Sequence, residues 1–333
     1  MTFRDQSLRM LIQQNLRKKV PLKPEEKFPY EPSLCNWGNY FQERLEIPTG
    51  NGDIVGYLTL PQPDSCLFVL QHGAGSSAMS FGPMVHELLS ESEHKVGFLS
   101  LDLRAHGETS VKPEKDMSLQ TLTNDFVHAV QYVQNMFHLE GKMILVGHSL
   151  GGSICTEAAV QKRLPNVSGL VMIDAVEGTA MESFSYMRRY VITRPTSFSS
   201  VEEAISWHLK TLTIRQRTSA CITVPSLLIP SEDRSCYTWR TDLNATSPFW
   251  SGWFTGLDDK FLKAACGKML IVAGADRLDK SLIIGQMQGK YQLEISPASG
   301  HFVHEDVPSQ MASLLIKFWH RNQPLVLPKK LQL

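Results

Sequence analysis

In the stretch MILVGHSLGGSI (143–154), Ser149 stands between Gly147 and Gly151. An apolar run precedes it and residues of helical spacing follow. Gly-x-Ser-x-Gly in that setting is a strand-to-helix turn that lifts a serine hydroxyl clear of the chain. The glycines are needed because a side chain there would collide with the neighbouring strand or helix. The amide end of the following helix favours negative charge developing beside the serine. The chemistry that suits this arrangement is nucleophilic attack on a carbonyl carbon. The competing reading is a Gly-rich turn with an idle serine. The presence of the other parts of such a site, in workable chain order, argues against it.

A tetrahedral oxyanion needs hydrogen-bond donors. The backbone N–H of Leu150, directly after the serine, is one candidate, and the loop after an early strand supplies the other. FVLQHGAGSSAMS (68–80) fits, with His72-Gly73 turning the chain and Ala74 presenting its N–H. Gly75 and Ser76 are expected to line the same wall as substrate-binding residues. The general base is expected in SGHFVHEDVP (299–308), where His301 follows Gly300 on a loop. His304, three residues on, reads as a helix-start residue near Glu305 and Asp306. The two histidines do not read as a metal site, since no cysteine or carboxylate cluster completes a ligand set. No metal or other cofactor is expected.

The acid that orients the histidine has two candidate positions. Asp174 ends the apolar run Leu170–Ile173, while AGADRLDK (273–280) offers Asp276 and Asp279 one strand later. Pattern alone slightly favours Asp276. SLDLRAHGETS (100–110) contributes Asp102, Arg104 and His106, expected to fix a loop structurally, with a catalytic His106 as the minor alternative.

These residues need a frame. Apolar runs at 54–60, 67–71, 96–102, 143–148, 169–174, 268–274 and 291–296 read as strands. Segments 78–90, 121–138, 151–163, 281–288 and 307–321 have helical length or spacing. Strands alternating with helices imply an α/β fold with a mostly parallel central sheet flanked by helices. Residues 54–60 and 67–71, joined by Pro61, Pro63 and Asp64, read as an antiparallel hairpin edge. The alternation breaks at about 177, so 177–266 reads as an inserted lid. The expected organisation is an N-terminal arm (1–36), a core (37–176 and 267–321), the lid, and a C-terminal tail (322–333).

The bulk numbers bound the function classes. The 333 residues are 42% apolar, enough for a real core. Lys+Arg and Asp+Glu are 33 each, which leaves no basic excess for nucleic acid. No apolar stretch approaches the ~20 residues that span a bilayer, so no membrane partner is expected. Six cysteines without a Cys-x-x-Cys pairing suggest reduced thiols, with Cys66 and Cys155 in apolar, core-like contexts. The expected location is the cytoplasm, with the nucleus also compatible. The basic N-terminus (Arg4, Arg9, Arg17, Lys18, Lys19, Lys23) is a weak match to a mitochondrial presequence and reads better as a solvated arm.

Together the motifs resemble the α/β-hydrolase fold and, more narrowly, the protein phosphatase methylesterase family. The resemblance runs from about 37 to 320 and rests on GHSLGG, LDLRAHGETSVK, MIDAVEGTAM, RPTSFSSVEEAI, YTWR, WSGWFTGL, AGADRLDKSLIIGQMQGKYQ and GHFVHEDVP. MIDAVEGTAM, GWFTGL and IGQMQGK have no general hydrolase meaning and make it specific. The resemblance implies Ser149 as nucleophile, His301 as base and Asp174 as acid, reversing the preference for Asp276. It also implies a substrate: the methyl ester on the C-terminal leucine of the type 2A protein phosphatase catalytic subunit. Some members carry a long acidic insertion before YTWR; here IPSEDRSC (229–236) is short. The lid aromatics Trp239, Trp250, Trp253 and Phe254 are expected either to grip a partner protein or to form the lid's own core. A general small-ester carboxylesterase and a phosphatase-binding regulator with secondary catalysis are the competing functions.

Overall fold

The computed structural model describes residues 31–323 except 275 and 277. The arm expected at the N-terminus up to residue 30, the tail from 324 onward, and Arg277 lie outside the described residues. Among the described residues there are eleven strands: β1 (Glu43–Pro48), β2 (Asp53–Thr59), β3 (Cys66–Gln71), β4 (Gly97–Leu101), β5 (Lys142–His148), β6 (Val167–Ile173), β7 (Ser197–Phe198), β8 (Leu228–Pro230), β9 (Tyr237–Trp239), β10 (Gly267–Val272) and β11 (Gln292–Ile295). Eight form one sheet in the order β1-β2-β4-β3-β5-β6-β10-β11. From β4 onward that sheet is parallel, as strands connected by crossover helices must be.

The apolar runs are continuous because both faces of the sheet are covered. Leu145, Leu170, Met172, Leu270 and Val272 point to one side, where Phe126, Val130 and Val133 of the helix Leu119–Phe137 and Ile154 of the helix Leu150–Gln161 meet them. Ile144, Val146, Val171, Ile173 and Ile271 point to the other, against Met84 and Leu88 of the helix Gly82–Glu91 and Met311, Leu315 and Phe318 of the helix Pro308–Arg321. The period of two along each strand therefore feeds two cores at once. Cys66 and Cys155 are fully buried, and none of the six cysteines forms a disulfide.

The expected hairpin of 54–60 and 67–71 does not form. β2 pairs antiparallel with β1 and β4, and β4 separates it from β3. All six residues of β3 are buried, so the strand needs parallel neighbours on both sides, β4 and β5. The chain leaves β3 toward β4 and returns to β5 on the opposite flank. Between β3 and β5 lies the topological switch point, where crevices open at the carboxyl ends of parallel strands. Gln71 of β3 is in register with Gly147 of β5, so the two loops that follow emerge side by side.

Residues 177–266 contain helices and a small antiparallel sheet, β7-β9-β8, which the helical patches in the sequence did not announce. Trp250, Trp253 and Phe254 are buried in the same core that holds Leu150 and Ile154, and the Trp253 indole donates to the carbonyl of Met117 at 2.6 Å. Trp239 packs edge-on against Phe198 and Trp207, with the Arg194 guanidinium 4.4 Å from its ring centre. Trp250, Trp253 and Phe254 are therefore internal packing, whereas Trp239 is half-buried.

Candidate active site

Ser149 sits at the end of β5 with φ 52° and ψ −120°, a backbone conformation that L-residues avoid. The two glycines around it permit the turn. A Cβ on Gly147 would lie 2.2 Å from the carbonyl oxygen of Gly151, and one on Gly151 would lie 2.0 Å from that of Gln71. The serine itself is half-buried, between the buried His148 and Leu150. Its N–H bonds the carbonyl of Ile173 at 3.0 Å, which extends the β5–β6 ladder past the strand end.

The next residue of that neighbouring strand end is Asp174. It too has positive φ, 47°, and its N–H donates to the carbonyl of Ile271 at 2.7 Å. Its carboxylate, 8% exposed as a residue, accepts from the N–H of Ala273 at 3.0 Å through Oδ1. Through Oδ2 it meets His301 Nδ1 at 2.8 Å. A carboxylate can only accept there, so the proton is on Nδ1 and Nε2 of a neutral ring is a bare base. The His301 side chain is 47% exposed, which leaves that basic edge accessible. Asp276 is exposed, whereas Asp279 is engaged elsewhere, accepting the N–H of Gly178 at 2.6 Å.

His301 is tied directly to the serine turn. His148, adjacent to Ser149, contacts the His301 carbonyl through Nε2 at 3.0 Å, and the two rings are 4.7 Å apart. Burial first, then the neighbouring His304 and His301, push the His148 pKa down, so its ring is neutral and Nε2–H is the donor. His304 lies in the short helix Val303–Asp306, fully buried against Phe81 and His148. Burial lowers its pKa to about 3. The role of His148 had no signal in the sequence, since its partner is 153 residues away.

The loop after β3 approaches the serine from the other side. A Cβ on Gly73 would lie 3.0 Å from the Ser149 Cβ. The turn is closed by the Ser76 N–H on the Gly73 carbonyl at 3.2 Å. Ala74 and Gly75 are half-buried, while Ser76 is buried at 4% exposure. Gly75 has φ 77°, and a Cβ there would strike the side chain of Leu243. Leu150 is the first residue of the helix Leu150–Gln161, where an amide has no intrahelical acceptor. Asp102 anchors the far end of the loop by accepting from Ala78 at 2.7 Å, and also accepts from Glu108 at 3.0 Å. Arg104 forks onto Asp125 at 2.6 and 2.9 Å, so both residues act as the structural fixtures their motif suggested.

An alpha/beta hydrolase family model matches residues 66–314. Among solved structures, E-2-(acetamidomethylene)succinate hydrolase superposes with a TM-score of 0.64 at 19% identity, covering 83% of this chain and 97% of its own. A thioesterase domain from the curacin biosynthetic pathway gives 0.62 at 16%, covering 82% and 99%. At those identities the likeness is one of fold. Closer relatives carry a common name. Protein phosphatase methylesterase 1 of Schizosaccharomyces pombe is 64% identical, over 99% of this chain and 98% of the relative. The protein of that name from Aspergillus oryzae is 45% identical over 89% and 74%, and that from Yarrowia lipolytica 45% over 88% and 74%. With the hydrolase model spanning its core and a near full-length relative at such identity, the chain belongs to the protein phosphatase methylesterase family of α/β hydrolases.

Proposed function

We propose that this protein is a serine esterase that removes the methyl ester from the C-terminal leucine of the type 2A protein phosphatase catalytic subunit. Ser149 is the nucleophile, His301 the base and Asp174 the residue that orients it. His301 Nε2 takes the hydroxyl proton as Ser149 Oγ bonds to the leucine carbonyl carbon. The N–H groups of Ala74 and Leu150 hold the resulting oxyanion, each worth roughly 3–4 kcal/mol of barrier. As the carbon–methoxy bond breaks, His301 returns the proton and methanol leaves an acyl-serine. Water then attacks, its proton passing to His301. The Ser149 Oγ–carbon bond breaks, the serine is reprotonated, and the free leucine carboxylate departs.

The observation that carries this reading is the 2.8 Å contact of Asp174 Oδ2 with His301 Nδ1. It fixes the tautomer whose free Nε2 can accept the serine proton. The family membership supplies the ester class. The test uses phosphatase catalytic subunit methylated at its C-terminus. Wild type should lower the tail-peptide mass by one CH₂ and release methanol, and a fluorophosphonate should label it. Ser149→Ala should do neither while remaining folded. Turnover of small esters with the phosphatase tail left methylated would favour a general carboxylesterase instead.

A further inference from the structure

The buried His106 touches the loop that follows β3, and its two ring nitrogens have opposite partners. Nδ1 lies 2.9 Å from the carbonyl of Arg104, while Nε2 receives the N–H of Gly75 at 2.8 Å. A carbonyl only accepts and an amide N–H only donates, so the geometry requires the neutral ring with its proton on Nδ1. Protonation would set one N–H against another. Burial lowers the His106 pKa to about 4, which keeps the ring in that form at neutral pH.

The ring is held from behind. Arg104, whose carbonyl fixes Nδ1, is itself clamped onto Asp125 at 2.6 and 2.9 Å and onto the Pro113 carbonyl at 3.0 Å. His72, whose ring centre is 5.3 Å from that of His106, contacts the Gly73 carbonyl through Nδ1 at 2.8 Å and receives the Leu103 N–H through Nε2 at 3.1 Å. Two neutral histidines thus grip successive peptide units of one loop. In a planar trans peptide the N–H points opposite to the carbonyl. Holding the Gly73 carbonyl therefore sets the direction of the Ala74 N–H. Accepting from Gly75 draws the next N–H away into the interior. Among the described residues the Ala74 N–H donates to no protein group.

We infer that His106 is a positioning residue for catalysis: by accepting the Gly75 N–H, it locks the Ala74–Gly75 peptide unit and leaves the Ala74 N–H as the donor this loop offers to the oxyanion. The inference rests on the assignment of Ser149 as nucleophile. Without an acceptor at Nε2, the Gly75 N–H must find another partner, and the Ala74–Gly75 unit, joined at the Ala74 Cα to the unit the Gly73 carbonyl holds, no longer braces the Ala74 N–H. A preorganised donor gives its full effect only when aimed at the position of the developing charge.

His106→Phe keeps the ring volume and removes the acceptor, whereas His106→Gln restores an acceptor through its amide oxygen. For a p-nitrophenyl ester, His106→Phe should lower kcat about 10- to 100-fold, short of the 10²–10³ lost when a donor is deleted outright. KM should stay within about 3-fold, since the oxyanion exists only after attack. The rate of Ser149 phosphonylation by a p-nitrophenyl phosphonate should fall in parallel, since the O–P bond forms and p-nitrophenolate leaves through a five-coordinate phosphorus whose charged oxygen needs the same donors. His106→Gln should recover most of both rates. In ¹⁵N-labelled wild type, the His106 ring should appear as the neutral Nδ1–H tautomer with an accepting Nε2. Phosphonylation of a folded His106→Phe protein at the wild-type rate would overturn the inference, as would equal losses in Phe and Gln variants. If His106→Phe does not fold, an Nε2–H or cationic ring in the wild-type spectrum overturns it. A wild type that phosphonates do not label at Ser149 fails earlier, at the nucleophile assignment.

Discussion

Replacing Asp174 by asparagine tests the orientation of His301 at its least replaceable partner. The carboxylate has two described duties: Oδ1 accepts the Ala273 N–H at 3.0 Å and Oδ2 faces His301 Nδ1 at 2.8 Å. An asparagine has one acceptor and one donor end. If its oxygen takes the Ala273 amide, its NH₂ points at His301 Nδ1 and can be satisfied only by an unprotonated Nδ1. The imidazole proton then sits on Nε2, the nitrogen that must receive the serine proton. If the amide is flipped, its NH₂ opposes the Ala273 N–H in a buried place, an unmade hydrogen bond worth about 1–3 kcal/mol. The first arrangement prevails, so the fold survives and the wrong tautomer is enforced. The expected loss in kcat is on the order of 10⁴-fold, about 5.4 kcal/mol of transition-state stabilisation, as for the same change in serine proteases. Asp276→Asn, at an exposed carboxylate, should stay within about 3-fold of wild type. Turnover of a p-nitrophenyl ester by both variants, with circular dichroism on the same samples, decides the matter. A folded Asp174→Asn enzyme within 10-fold of wild type, or an inactive Asp276→Asn, would refute the reasoning.

His304→Ala removes a fully buried ring packed on Phe81 and His148, so it should destabilise the protein by roughly 2–4 kcal/mol in urea unfolding. At temperatures where it stays folded, its kcat should remain within a few-fold, whereas His301→Ala should lose several orders of magnitude. Asp258, buried and hydrogen-bonded to Asp279, has its pKa raised to about 7, first by burial and then by Asp279. The folded state therefore holds that proton more tightly than the unfolded chain. The contribution is complete below about pH 4 and is lost as pH rises through about 7, and Asp258→Asn should flatten the decline of urea stability between pH 5 and pH 8 by roughly 1–3 kcal/mol. Ser149→Gly should be inactive yet more stable in thermal unfolding by about 1 kcal/mol, because φ 52° with ψ −120° is strained for serine and open to glycine.

The parts of the fold most plainly legible in the sequence are those whose burial is symmetrical, although β11, a half-buried edge strand, was legible too. β5, β6 and β10 announce themselves as unbroken apolar runs because each is covered on two faces. β1, ERLEIP, did not, because it is an edge strand with buried Leu45 and Ile47 between exposed or half-exposed charges. The order β2-β4-β3 was also hidden. A short proline-rich connection looks the same whether its strands pair or make room for a third, and only the complete burial of β3 distinguishes them. The small sheet within 177–266 rests on strands of two and three residues, too short for any period to register. Asp174 and Asp276 follow apolar strands in equivalent local settings. What separates them is which loop lies within 3 Å of an imidazole, a relation between residues 127 apart.

The two strained residues explain why the site needs the sheet behind it. Ser149 and Asp174 end adjacent parallel strands, and both have positive φ without being glycine. Each such residue costs of order 1–3 kcal/mol and persists only where the surroundings over-determine it. Here the strain is held by continuing the ladder one step beyond the strands. Ser149 N–H bonds Ile173, and Asp174 N–H bonds Ile271, so each strained residue is anchored to the last residues of its neighbour. The same step that turns the side chains out of the strand direction thus also locks them in a row. A surface aspartate in a turn would be cheaper to place. It would not share a rigid edge with the serine, and it would leave the tautomer of His301 to chance.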